Sequence, residues 1–208
     1  MKQFGKTKQE IPVSEEITIS NYMIEDPQFV NYPDQATQEE IYKYALMDIP
    51  DMDNPNILDL GAGRGDLKSF ASLYFPEVIY TGVERNKIAV EAGKQKYDGI
   101  NIINQDIFDY VSPDPHDVIL SILTMDINYG GQGEDVNQYL CDYIEHMLNS
   151  KANLYSIILP SVTESEVGNV FDISLAVKHL ELLRKEDNIR YAIDVSYDFD
   201  IFKILIIK

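Results

Sequence analysis

The sequence predicts an α/β fold, a doubly wound seven-stranded mostly parallel sheet that closes with a C-terminal antiparallel hairpin. Three observations predict it. From about residue 56 onward, short apolar runs rich in β-branched residues alternate with longer stretches of helical periodicity, as in a parallel sheet covered by helices on both faces. The apolar run ILDL passes straight into three alternating glycines, Gly61, Gly63 and Gly65, and then into a helical stretch. Near the end of the chain only residues 198–201 separate two strand-like runs. That gap is too short for a crossover helix, so those two strands pair antiparallel.

Taken in order, residues 1–50 read as an N-terminal arm: a polar start, the aromatic and proline-containing stretch NYMIEDPQFVNYPDQ, and a helix over 37–47. Tyr22, Phe29 and Tyr32 in this arm serve either as a lid or as an anchor to the core. The remainder, 51–208, forms one domain. Its strands are predicted at 56–60, 78–83, 100–104, 117–122, 154–159, 191–197 and 202–207, and its helices at 66–75, 87–97, 134–149 and 164–185, with a short turn after Asp106. In the third of these helices Val136, Leu140, Tyr143, Ile144, Met147 and Leu148 recur at spacings of three and four, which gives one buried stripe.

Composition narrows the partners. The chain has 208 residues, 45% hydrophobic and 25% charged, ordinary for a soluble globular protein. Seventeen basic against thirty-five acidic residues leave a net charge of −18, so a nucleic-acid partner is disfavoured by net repulsion. The most basic stretch, 178–190, also carries acids and reads as a solvated helix end. No run approaches the ~20 apolar residues of a membrane span, and the start lacks a signal peptide's apolar core. Cys141 stands alone, so the chain is expected in a reducing, cytoplasmic setting without a metal site. The oligomeric state is left open.

The glycine loop carries the chemistry. Glycines let the backbone approach a ligand closely at a helix N-terminus. The dinucleotide fingerprint G-x-G-x-x-G needs a glycine at 66, where this chain has aspartate; the spacing is G-x-G-x-G. Asp59 and Asp66 flank the loop, and they disfavour a pyrophosphate while favouring a ligand with ammonium and sulfonium cations. No lysine followed by serine or threonine completes a P-loop. In TGVERN, Glu84 ends a strand nineteen positions past Gly65, where an acid accepts hydrogen bonds from both ribose hydroxyls. In NQDIFDY, Asp106 is positioned to accept from an adenine amino group while Ile107 or Phe108 packs on the ring, although aspartate is equally an ordinary helix cap.

Together the ILDLGAGRGD loop, Glu84 in GVER and Asp106 in NQDIF resemble the class I S-adenosylmethionine-dependent methyltransferases over about residues 37–208. The resemblance implies a Rossmann-like sheet of order 3-2-1-4-5-7-6 and S-adenosyl-L-methionine as the methyl donor. It also implies a donor site made of Asp59, Gly61, Ala62, Gly63, Gly65, Glu84, Arg85, Asp106 and Ile107. The methionine end would lie along Gly61 to Gly65 with Asp59 behind it, the ribose on Glu84 and the adenine at Asp106.

The acceptor half is less marked. SILTMDINYGG follows the fourth predicted strand and lacks the Asp/Asn-Pro-Pro-aromatic tetrad of base-directed amino methyltransferases. Asp126 with Asn128 is too thin a set for a metal, and His116, His146 and His179 are scattered over unrelated elements. Asp126 and Tyr129 are the candidate catalytic residues, able by position to take or steer a proton. The expected function is methyl transfer to a small molecule or a protein side chain. The rival readings are a non-catalytic donor-binding regulatory or scaffold module, an RNA or DNA methyltransferase that needs a partner, and, more weakly, a nicotinamide-dependent oxidoreductase.

Overall fold

A computed structural model describes residues 19–124, 136–160, 173–195 and 201–208. Seven strands form one sheet: β1 Asn56–Leu60, β2 Ile79–Glu84, β3 Ile102–Asn104, β4 His116–Ile122, β5 Ala152–Pro160, β6 Arg190–Asp194 and β7 Ile201–Ile207. Their order is β3-β2-β1-β4-β5-β7-β6. The first five run parallel, and β7 inserts antiparallel between β5 and β6. The described helices are α1 Asn21–Glu25, α2 Gln35–Leu46, α3 Asp66–Ala71, α4 Lys87–Lys96, α5 Val136–Asn149 and α6 Ile173–Asp187.

Strand periodicity decides which residues face which layer. Ile57, Val118, Leu120 and Ile158 join the apolar cluster beneath α2, α3 and α4, whereas their neighbours Leu58, Ile119, Ile157 and Leu159 join the cluster beneath α5 and α6. β1 is buried on both sides, with Ile57 and Leu58 fully covered. It pairs with β2 on one edge and β4 on the other. The chain therefore reverses its direction of travel across the sheet at β1, the kind of switch point beside which open α/β sheets place their ligands.

Several elements differ from the sequence expectation. α3 ends at Ala71 rather than near 75, because the Ser72 hydroxyl bonds back to Lys68 O and Pro76 disfavours helix at Phe75. β3 starts at Ile102, two residues late, because Gly99 turns through the left-handed region at φ +65°. The arm holds two elements that no periodicity announced, α1 and a 3-10 turn at Pro27–Val30. Each is capped by its own side chain: Ser20 accepts from Met23 N and Asp26 accepts from Gln28 N. α2 is not peripheral, since Ile41, Tyr42, Tyr44, Ala45 and Leu46 are buried in the same cluster as β1 and β4. The expected helix residues 164–172 and strand residues 196–197 lie outside the described residues.

Candidate functional site

The site grows from the bend after β1. Gly61 N and Ala62 N both donate to Val83 O, at 2.8 and 3.0 Å, which ties the loop to the tip of β2. Gly61 sits at φ +82°, and a Cβ placed there would lie 2.2 Å from Thr124 Cγ2. Thr124 is held in turn by its hydroxyl, which donates to Leu60 O at 2.6 Å. The bend thus requires glycine for backbone conformation and for space alike. On the outer side a Cβ on Gly63 would come within 3.0 Å of Val30, so the arm lies directly on the loop.

A buried arginine makes that docking. Arg64 is 1% exposed; its Nε and Nη2 donate to Asp66 Oδ2 at 3.0 and 2.7 Å, while Nη1 donates to Met23 O and Asp26 O at 3.0 and 2.9 Å. Asp66 also accepts from Tyr97, Lys96 and Gln38. Burial alone would raise its pKa, but the Tyr97 hydrogen bond and the nearby cations outweigh it and hold the carboxyl below its ordinary value. The sequence alone assigned Arg64 no role. Its partners in the arm lie some forty residues away, and no local pattern marks them.

Asp59, at the deep end of β1, behaves oppositely. It is buried and accepts from the Tyr80 hydroxyl at 2.7 Å. Burial pushes its pKa up to about 7, which the Tyr80 bond only partly offsets. Glu84, at the tip of β2, accepts from Gly63 N at 3.0 Å through Oε2 and from Asn86 N at 2.6 Å through Oε1. Each carboxylate oxygen keeps a second acceptor site. Asn86 caps α4 by accepting from Ile88 N and Ala89 N.

These groups enclose a cavity of about 250 Å³. Of the nine expected donor contacts, Asp59, Gly61, Ala62, Gly63, Glu84, Arg85 and Ile107 line it. Gly65 and Asp106 do not. Gly65 is the N-cap residue of α3, and Asp106 turns its Oδ1 to Phe108 N at 3.0 Å to cap the following 3-10 turn. That turn is pinned from α5 by His146, whose Nε2 lies 2.7 Å from Ile107 O and 2.9 Å from Tyr110 O and so carries the proton. Asp126 and Tyr129 lie outside the described residues.

The arm supplies wall residues that the spacing did not assign: Val30 and Asn31, together with Phe29 and Tyr32. Tyr32 is 7% exposed and belongs to the core cluster as well as to the cavity, so it is anchor and wall at once, while Tyr22 is exposed and meets Phe29 edge to face at 6.2 Å. Tyr42, Asn86 and Thr124 line the cavity as well. Among the described residues no group of three or more His, Cys, Asp or Glu is placed to hold a metal. Among them also, no helix is long and apolar enough to cross a membrane.

No protein-family model and no curated protein matches the sequence. Solved structures do resemble the fold. A plantazolicin methyltransferase, BpumL, in complex with a pentazolic desmethylPZN analog and SAH, superposes with a TM-score of 0.59 at 16% identity, covering 82% of each chain. A S-adenosylmethionine-dependent methyltransferase from Clostridium acetobutylicum gives 0.61 at 12% identity, over 88% of this chain and 95% of that one. A SAM-dependent methyltransferase from Aquifex aeolicus gives 0.57 at 15% identity, over 88% and 99%. With the strand order, the antiparallel β7 and the glycine bend after β1, these likenesses identify the architecture: the chain has the fold of the class I S-adenosylmethionine-dependent methyltransferases.

Proposed function

We propose that this protein is an S-adenosylmethionine-dependent methyltransferase that acts on a small molecule or a protein side chain in the cytoplasm. The observation that carries the reading is the pairing of the glycine bend with Glu84 across the tips of β1 and β2 in one cavity. Of the three carboxylates on the cavity wall, Asp66 is paired with Arg64 and Lys96, which leaves Asp59 and Glu84 against the guanidinium of Arg85. That balance suits a ligand with an ammonium and a sulfonium and opposes a pyrophosphate. When bound, the donor supplies an activated methyl group for in-line displacement.

The residues then divide the work. Asp59 would hold the ammonium, and Glu84 would accept from the ribose hydroxyls through its remaining acceptor sites while its bond to Gly63 keeps the bend in shape. Ile107 would pack against the base, and Asp106 would hold the turn that presents Ile107 unless it also reaches the base edge. Gly65 would act through the start of α3. Asp126 and Tyr129, two and five positions after Thr124 in sequence, remain the proposed groups that steer an acceptor proton. Much of the barrier reduction in such a displacement comes from alignment, an effect of up to ~7–11 kcal/mol, so the rigid bend matters as much as any base.

Calorimetry with S-adenosylmethionine and S-adenosylhomocysteine tests the donor site. Wild type binds both; Glu84→Gln, which keeps an oxygen for Gly63 N, weakens both about ten- to a hundredfold through loss of charge-assisted bonds. Unaltered affinity in Glu84→Gln would remove the ribose assignment, and transfer of labelled methyl groups in a lysate assay separates an enzyme from a binding module. A plantazolicin methyltransferase of the same fold supports keeping peptide-derived small molecules among the candidate acceptors.

A further inference from the structure

The end of the sheet away from the glycine bend holds a second constellation. β1 begins at Asn56 and β4 at His116, and Ser112 stands four residues before His116 on the approach to β4. His116 is buried, with Nε2 2.7 Å from Ser112 Oγ and Nδ1 3.0 Å from Asn56 Oδ1. Burial holds the ring below its ordinary pKa against the charges of Asp114 and Asp117, so at neutral pH it carries one proton. The position of that proton follows from the ends of the chain of contacts. A carbonyl only accepts, so Pro115 O, 3.1 Å from Asn56 Nδ2, fixes which end of the Asn56 amide turns to the ring. Asn56 Oδ1 therefore receives the Nδ1 proton, and Nε2 is left with a lone pair. Asp114 O, at 3.0 Å, competes for the Ser112 proton, but two lone pairs do not face each other at 2.7 Å, so the hydroxyl donates to Nε2.

The backbone fixes both ends of this relay. Asn56 N donates to Asp117 Oδ2 at 2.9 Å, and Ser112 N donates to the buried Ser150 Oγ at 2.9 Å. A hydroxyl bonded to a neutral imidazole, whose other nitrogen is oriented by a third group, is an activated nucleophile. Ser112 is only half-buried. His116 lines an open cavity of about 360 Å³ together with Asn56, Asp117, Lys151 and Asn153, side chains that suit a small polar substrate better than a long apolar one.

We infer that Ser112, His116 and Asn56 form a second, hydrolytic site that cleaves small carboxylic esters. Ser112 Oγ attacks the carbonyl carbon, and its proton passes to His116 Nε2. The carbonyl electron pair moves onto oxygen, to which Asp114 N–H, 3.3 Å from the resting Oγ, can donate. Collapse of the adduct breaks the bond to the alcohol, which leaves with the proton from Nε2. Water then attacks the acyl-serine and gives a proton to Nε2; the carboxylic acid departs as Oγ recovers that proton.

The test uses the full chain and two probes, a fluorophosphonate and p-nitrophenyl acetate. The fluorophosphonate should bond to Ser112, as located by peptide mass spectrometry, and p-nitrophenyl acetate should be hydrolysed at a rate that Ser112→Ala abolishes. His116→Gln removes the base and should slow both reactions about a hundredfold or more. Asn56→Leu leaves Ser112 and His116 in place but lets the ring carry its proton on Nε2, and should slow both about tenfold or more. An adduct on Lys151 instead of Ser112, hydrolysis as fast in Ser112→Ala as in wild type, or labelling unslowed in His116→Gln overturns the site; the three side chains then only clip the starts of β1 and β4 together. The site of the adduct is read on wild type, so the inference stands or falls even if a variant does not fold.

Discussion

Asp59 is the residue whose environment makes the sharpest statement about pH. Its carboxyl titrates near 7 in the folded chain and near the ordinary 3.8 when unfolded. A raised acid pKa means that the ionised form costs stability: the cost is absent below about pH 4, grows between there and 7, and is constant above. Asp59→Asn keeps an oxygen for the Tyr80 hydroxyl and removes the charge. Urea unfolding is therefore expected to show no gain for Asp59→Asn at pH 4 and a gain of roughly 2 to 4 kcal/mol at pH 8. A ligand ammonium beside the carboxylate reverses the preference, so affinity for S-adenosylmethionine should climb as the pH rises through about 7 and release a proton below it. A flat wild-type profile would mean that no cation settles against Asp59. The places of Asp59 and Glu84 on the cavity wall were legible in the sequence because each lies within one residue of the end of a strand of fixed period, so counting residues also counts position along the sheet. Gly65 and Asp106 stand at the start of α3 and of the following 3-10 turn, and capping is a use of aspartate and glycine that sequence cannot separate from ligand contact.

At the scale of elements, the strands and five of the six described helices could be read from periodicity, while the docking of the arm could not. α1 and the turn after it bury no residue, so no hydrophobic pattern betrays them. Polar contacts hold them, the two carbonyl contacts of Arg64 and an ion pair from Lys96 to Glu25 at 3.8 Å, with one apolar contact added where Val30 meets the glycine loop. Replacing Arg64 with methionine keeps most of the side-chain volume but strips Asp66 of its bidentate partner and frees Met23 O and Asp26 O. Removal of one partner from a buried pair costs about 3 to 5 kcal/mol, with Lys96, Tyr97 and Gln38 left to moderate the loss at Asp66. Limited chymotrypsin digestion should then cut near Tyr22 and Phe29 well before the rest of the chain, ahead of global unfolding. Arm cleavage at the wild-type rate would show that Arg64 is not its clasp.

Across the whole molecule, the arm and the last strand are joined by one buried cation. Lys203 on β7 is 1% exposed; its Nζ donates to Tyr44 O at 3.1 Å and to Asp48 Oδ2, and lies 3.8 Å from the centroid of the Tyr44 ring. The contact spans more than 150 residues of sequence, and so this part of the seat of α2 is complete only when β7 is in the sheet. A lysine in the middle of a strand pattern reads as a solvent-facing residue, which is why its place in the core was invisible beforehand. The two partners are unequal, because the Asp48 side chain is 31% exposed and the Lys203 side chain 2%. Lys203→Met exchanges a buried charge for an apolar chain of similar length, and Asp48 can turn to water, so the change should lie within about 1 kcal/mol of neutral. Asp48→Asn keeps an oxygen for the ammonium but removes the charge that opposes it, which leaves a buried cation uncompensated, and should cost roughly 2 to 4 kcal/mol. The Lys203→Met, Asp48→Asn double variant should then recover most of that loss, since no charge remains to be stranded. Equal costs for the two single variants in urea unfolding would mean that the pair acts by attraction alone and that burial of the lysine is not what makes Asp48 necessary.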